Sequence, residues 1–286
     1  MGDNVAVAPR FAIGVQRSDA GHGTNPFYEA LLAGLEAALD EHGASIVLRL
    51  FVSEEEELAE FERWAGVPEL AGVVLVDLAE GDRRVDRCRE LGLPAVVLGG
   101  QIEEATERIS VVDVDNSAAM TTAVEFLVGL GHRVLGRVSG PQRLSHTGAR
   151  TAAFDEAVAR AGVVGSTVEG DYSSRSGVAC VRELLAIPER PTAIIFDNDL
   201  MAVAALEVVG ELGLAVPQDV SFLAWDDSPP CRLADPPLSV VSRDVHELGR
   251  ILASVLLDMH RGELQTIVHA AGAQIVQRGT TARPRN

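Results

Sequence analysis

The chain has 286 residues with a formal net charge of −18, and all 24 basic residues are arginine. That length exceeds one ordinary core of ~100–150 residues and suits two lobes, while 47% hydrophobic and 23% charged content marks a globular chain. So acidic a surface repels phosphate backbones, and the lack of lysine excludes a Schiff-base or pyridoxal-phosphate enzyme and a P-loop of the usual kind.

Short apolar runs alternate with amphipathic stretches along the chain. Residues 11–15 predict a strand, 27–42 a helix stopped by Gly43, and 46–51 a second strand. The acidic run from Glu54 to Glu57 predicts a solvated helix start, where the macrodipole favours negative charge. Next come a strand at 72–76, a helix at 83–91, strands at 94–98 and 110–114, a helix at 118–130 and a strand at 134–139. Helices at 150–161 and 176–185 follow, then a strand at 193–196, a helix at 199–212, a strand at 221–224 and a helix at 245–260. Continuous apolar strands, each followed by a helix, predict α/β architecture with doubly wound parallel sheets. Such sheets bind ligands beyond the carboxyl ends of their strands, so function belongs in the loops after each strand.

Those loops carry no familiar catalytic signature. Gly21, His22 and Gly23 begin a glycine-rich turn, but Pro26 stands where a dinucleotide fingerprint needs its third glycine. The seven histidines show no HExxH spacing, and there is no GxSxG elbow. Cys88, Cys180 and Cys231 are odd in number, with no CxxC, which speaks against a disulfide framework or a zinc site. No apolar run reaches the ~18 residues of a membrane span, and no signal peptide is visible, so the reading is cytoplasmic. No catalytic residue, metal or cofactor is expected. Two acidic clusters remain. Asp197, Asn198 and Asp199 end a strand and open a helix, with Asp199 placed as an N-cap. Asp226 and Asp227 follow the apolar run 222–225, and the local pattern leaves turn capping, hydrogen bonding to a polyol and acid–base chemistry all open.

An ordered series of segments resembles the effector-binding region of the LacI/GalR family. NPFYEALLAG at 25–34 resembles that family's NPFF segment, GVVL at 72–75 its DGIIL strand, and PAVVL at 94–98 its PVVL strand. Val114-Asp115-Asn116 through Leu130-Gly131-His132-Arg133 resembles its DN…LGHRR unit, and Gly140-Pro141 with RTAAF at 150–154 its GP…RxxGF stretch. EGDYS at 169–173 with Ser176-Gly177 resembles the sugar-loop segment, and PTA through NDLMA at 191–202 the PTAIFAANDLMA stretch. VPQDVS through Asp226-Asp227 resembles VPEDVSVVGFDD, and PPLSVV at 236–241 the PPLTTV crossover. The series runs from about residue 9 to 283. Departures are Gly99-Gly100 in place of an acidic-basic pair, Ala71 before Gly72, a longer loop at 20–24 and Ala153 before Phe154. They leave the ligand class open.

The resemblance implies a type I periplasmic-binding-protein-like pair of lobes with a ligand cleft and three chain crossovers. The lobes are placed at 1–130 plus 243–267 and at 131–242 plus 268–286. It also implies a homodimer, with DNA contacted only through a helix-turn-helix domain absent from this chain. The implied ligand contacts are Tyr28, Arg150, Tyr172, Asn198, Asp226 and Arg243. Arg150 offers a donor fork, Asn198 both donor and acceptor, Asp226 acceptors only, and the tyrosines apolar faces. That set fits a neutral polyhydroxylated ring, a mono- or disaccharide, held between Tyr28 and Tyr172 as the effector. A stand-alone or exported sugar-binding protein of the same fold, and an enzyme on a doubly wound α/β fold, are the rival readings.

Overall fold

In the computed structural model, which describes residues 8–16, 25–99, 108–263 and 267–285, strands and helices alternate almost throughout. In chain order they are β1 (Arg10–Gln16), α1 (Pro26–Asp40), β2 (Ser45–Phe51), α2 (Glu54–Ala65), β3 (Leu70–Leu75), α3 (Arg83–Leu91), β4 (Ala95–Leu98) and β5 (Ile109–Asp113). There follow α4 (Asn116–Leu130), β6 (Val134–Ser139), α5 (Ser145–Ala161), β7 (Val164–Glu169), α6 (Ser174–Ala186), β8 (Ala193–Phe196), α7 (Asp199–Val209) and β9 (Ser221–Trp225). The last are α8 (Pro229–Leu233), β10 (Ser239–Ser242), α9 (Val245–Arg261), β11 (Ile267–His269) and β12 (Gln274–Val276). Residues 17–24, on which the glycine-rich turn expected from sequence falls, and residues 100–107 lie outside the described residues.

The strands form two six-stranded sheets, in the orders β11-β5-β4-β3-β1-β2 and β12-β10-β9-β8-β6-β7. All pairings are parallel except that of β10 with β12. Each sheet belongs to one compact unit. The first unit includes Thr24–Val114 and Asp244–Ala270, the second Asp115–Arg243 and Ala271–Asn286, and the chain crosses after Val114, Arg243 and Ala270. This division differs from a first crossing after residue 130. Helix α4 goes with the second unit because its Met120, Val124 and Leu127 share one core with Phe154 and Ala157 of α5. The stretch 267–269 belongs wholly to the first unit because β11 pairs with β5.

Strand alternation splits each sheet's side chains between two faces. In the first unit Phe11, Ile13, Val74 and Val96 pack under α1 and α9, while Ala12, Val73, Leu75 and Val97 pack under α2 and α3. In the second, Val138, Ile194, Phe196 and Phe222 face α6 and α7, and Leu135, Ile195, Leu223 and Trp225 face α4 and α5. Helices α1 and α9 approach closely through glycine: a Cβ on Gly34 would lie 1.9 Å from the His246 carbonyl oxygen, and one on Gly249 2.2 Å from that of Leu31. The acidic start of α2 is not wholly solvated. Glu57 is fully buried and paired with Arg84 at 3.3 Å, because the helix turns that position inward.

His132 ties the end of the chain to the second sheet. Its ring is 1% exposed, with Nδ1 2.8 Å from the Thr192 hydroxyl and Nε2 2.9 Å from the Ala282 carbonyl oxygen. A neutral ring suits this pairing, with Nε2 donating to the carbonyl and Nδ1 accepting from the hydroxyl. Burial lowers the ring's pKa below the usual 6.5, partly opposed by the bond to Ala282. The unfolded chain therefore binds the proton more readily, and stability present above pH 6.5 is lost as pH falls through the lowered folded value. Melting temperature measured against pH should fall on this acid limb, and His132→Gln should flatten the fall relative to the parent.

Candidate functional site

Five of the six expected contact residues lie in the second unit, at or beside the carboxyl ends of its strands. Asp226 follows β9 and Arg243 follows β10, and the two side chains form a forked ion pair, Nε to Oδ1 at 2.8 Å and Nη2 to Oδ2 at 3.3 Å. Arg243 is therefore first a partner of Asp226. A carboxylate has about four acceptor positions, so Asp226 retains capacity for hydroxyl donors. Its backbone is left-handed, with φ 67°, a conformation that costs about 1–2 kcal/mol for an L-residue and that turns the carboxylate out of the strand line.

Asn198, not Asp199, caps α7. Its Oδ1 accepts from Met201 N at 2.9 Å while its Nδ2 donates to the Tyr172 carbonyl at 2.9 Å. One side chain thereby fixes a helix start and the loop after β7. Tyr172 is itself left-handed, φ 68°. Its hydroxyl lies 2.8 Å from His146 Nε2 and 3.0 Å from Thr147 Oγ1, and its ring stacks on the His146 ring at 6.2 Å. The ring also lies directly on Gly140, where any Cβ would come within 2.0 Å of it. Only glycine permits that approach.

Arg150 sits on the second turn of α5, which begins at Ser145, rather than in a loop. It is 3% exposed, its Nε donates to Asn116 Oδ1 at 2.9 Å, and its Nη1 donates to the Asp197 carbonyl at 3.0 Å. The guanidinium carbon stands 3.9 Å from the centre of the Trp225 ring, a cation–π contact in a desolvated setting. Burial disfavours its charge, and Asp197, Tyr172 and Asp226 support it. Asp199 lies at the start of α7 with its carboxyl raised by burial, opposed by the Ser228 hydroxyl, and raised further by the Asp226 charge. Two buried polar atoms near these strand ends, Trp225 Nε1 and Asp227 Oδ1, lack a protein partner. Such atoms lose hydration on burial without compensation.

The sixth residue, Tyr28, lies in the first unit on the first turn of α1, whose N-cap is Asn25. Its hydroxyl donates to Oδ2 of Asp77, two residues beyond the end of β3, and Asp77 is left-handed with φ 52°. Arg84 holds that turn from below, donating to the carbonyls of Val76 and Asp77, each at 3.1 Å. Glu57 pairs with Arg84; burial raises its carboxyl and the Arg84 charge opposes the rise.

The side chains at these strand ends offer hydrogen-bond donors and acceptors. The three cysteines are buried, with thiols pushed up to about 12 at Cys88 and Cys231 and about 11 at Cys180, so none supplies a thiolate near neutrality.

Comparison with known proteins decides the family. Residues 124–281 match the model of a periplasmic binding protein-like domain. The HTH-type transcriptional regulator CelR of Thermobifida fusca is 34% identical over 83% of this chain and 71% of its own length. A LacI family transcriptional regulator from Bifidobacterium animalis subsp. lactis superposes with a TM-score of 0.88 at 30% identity, over 96% of this chain and 98% of that one. The chain belongs to the LacI family. It carries that family's effector-binding domain. A structure of CelR in complex with cellobiose superposes with a TM-score of 0.85 at 29% identity, over 96% of this chain and 86% of that one.

Within this LacI-family domain, two groups escape a sequence reading. Asp77 sits among ordinary loop residues and shows itself only through its backbone and its bond to Tyr28. Arg137 interrupts the apolar run of β6 and is fully buried against Asp197. An arginine inside a central strand was the available signal for it.

Proposed function

We propose that this domain binds a neutral mono- or disaccharide, performs no chemistry on it, and through it sets the DNA affinity of a cytoplasmic, homodimeric LacI-family regulator. The observation that carries the ligand class is the polar set of the second unit. Arg150 supplies donors, the Arg243-oriented Asp226 supplies acceptors, and the Asn198 amide supplies both. A sugar hydroxyl donates and accepts, so it satisfies all three. A phosphate would meet the carboxylates of Asp226 and Asp227 beside one another. The cellobiose complex of CelR supports the same class. The half-buried Tyr172 ring offers an apolar surface for a pyranose, and on the first unit Tyr28 is the candidate contact. A net charge of −18 argues that DNA contacts belong to other parts of such a regulator.

Thermal-shift screening of the chain against cellobiose, maltose, common monosaccharides, sugar phosphates, nucleosides and bases tests this. A saccharide at 100 times its Kd should stabilise the fold by about 2.7 kcal/mol. Stabilisation by phosphorylated or purely aromatic ligands, with no response to any saccharide, would overturn the reading.

A further inference from the structure

Strand β6 places Leu135 and Arg137 on the face covered by α4 and α5, and Leu135 joins the apolar core there. Arg137 is 0% exposed. Its Nε and Nη2 clamp Asp197 at 2.9 and 2.6 Å, its Nη1 donates to Thr151 Oγ1 at 2.7 Å, and Nη2 reaches the Thr147 carbonyl at 3.5 Å. A buried ion pair of this kind gives little stability over well-packed apolar side chains, because desolvation offsets the attraction. Its use must be sought in what it holds.

Asp197 reaches Arg150 directly, and Tyr172 through Gly140 and Asn198. Its Oδ2 accepts from Gly140 N at 3.3 Å, the glycine on which the Tyr172 ring lies. Its carbonyl accepts Nη1 of Arg150, and Oδ2 stands 3.9 Å from the same nitrogen. The next residue, Asn198, binds the Tyr172 carbonyl. The geometry points to Asp197, clamped by Arg137, as a positioning residue for the effector site: it sets Arg150 against Trp225 and seats the turn beneath Tyr172. A rigid hydrogen-bonded support of this kind fixes direction as well as distance for the groups that meet ligand. This inference rests on the saccharide reading only for its affinity arm.

The test uses the natural pair of tryptophans, Trp64 and Trp225. A Trp64→Phe background leaves Trp225 as the sole indole emitter, and its fluorescence reports whether the Arg150 guanidinium remains on its ring. In that background Asp197→Asn should stay folded, shift Trp225 emission toward that of Arg150→Ala, and raise the Kd for cellobiose at least tenfold by calorimetry. The double variant Arg137→Met with Asp197→Leu, which replaces the charges by apolar side chains, should fold and show the same emission shift. Parental emission and parental affinity in a folded Asp197→Asn protein overturn the proposal, as does an emission shift without loss of affinity. Should Asp197→Asn not fold, the double variant decides, and if that too unfolds the pair is structural and the proposal falls. Should the parent not bind cellobiose, the affinity arm uses the saccharide that the thermal-shift panel identifies; should no saccharide bind, the saccharide reading is what fails, and Trp225 emission alone decides the positioning role.

Discussion

Replacing Arg150 by alanine is expected to weaken saccharide binding by roughly ten- to a hundredfold, the cost of losing a charge-assisted hydrogen bond of about 1.5–3 kcal/mol. The side chain is nearly wholly buried, with Nε on Asn116 and Nη1 on the Asp197 carbonyl. Its plane also covers the Trp225 ring. Lysine should not rescue it. An ammonium keeps the charge but lacks the planar fork that reaches Asn116 and Asp197 together while stacking on an indole. Calorimetry on Arg150→Ala and Arg150→Lys should therefore show losses of similar size. Binding by both variants at parental affinity would remove Arg150 from the site.

The largest loss of stability from one small substitution is expected at Gly34→Val. Its Cβ would lie 1.9 Å from a backbone oxygen of α9, a collision that no side-chain rotation relieves. Helices α1 and α9 would have to move apart, and overpacking of this order costs about 1–3 kcal/mol, at times more. The facing Gly249 makes the mirror contact at 2.2 Å from Leu31 O, so Gly34→Val and Gly249→Val should be non-additive. Thermal or urea unfolding measures both effects. Because α1 carries Tyr28, the Gly34 variant should also disturb the bond from Tyr28 to Asp77. An unchanged melting temperature in either variant would contradict the close helix packing.

The regular parts of this fold were legible because fully buried parallel strands announce themselves as apolar runs: the patterns at 83–91 and 134–139 coincide with α3 and β6. Strand β7 was not, since at the sheet edge its residues are largely exposed and its sequence mixes glycine, serine and threonine with valine. The three-residue strands β11 and β12 are too short for any periodicity to show. Local pattern also set the α7 cap one residue late, at Asp199 rather than Asn198, because both side chains are good caps and only the bond to Met201 N separates them. The charge at Glu57 reads as surface in sequence, and Arg137 lies unremarked within the strand at 134–139. Their partners, Arg84 and Asp197, stand 27 and 60 residues away, and nothing local connects such pairs. The same holds for Arg243, whose bond to Asp226 spans 17 residues.

Hydrogen exchange read by mass spectrometry, with and without a saturating amount of the saccharide that most stabilises the domain, tests the central claim most directly, because it locates the bound effector without any substitution. Slower exchange is expected in the segments after β6, β7, β8 and β9, those that carry Gly140, Tyr172, Asn198 and Asp226, with the outer strand β7 itself little changed. Exchange that is the same with and without the sugar, or protection confined to segments away from these strand ends, would contradict it.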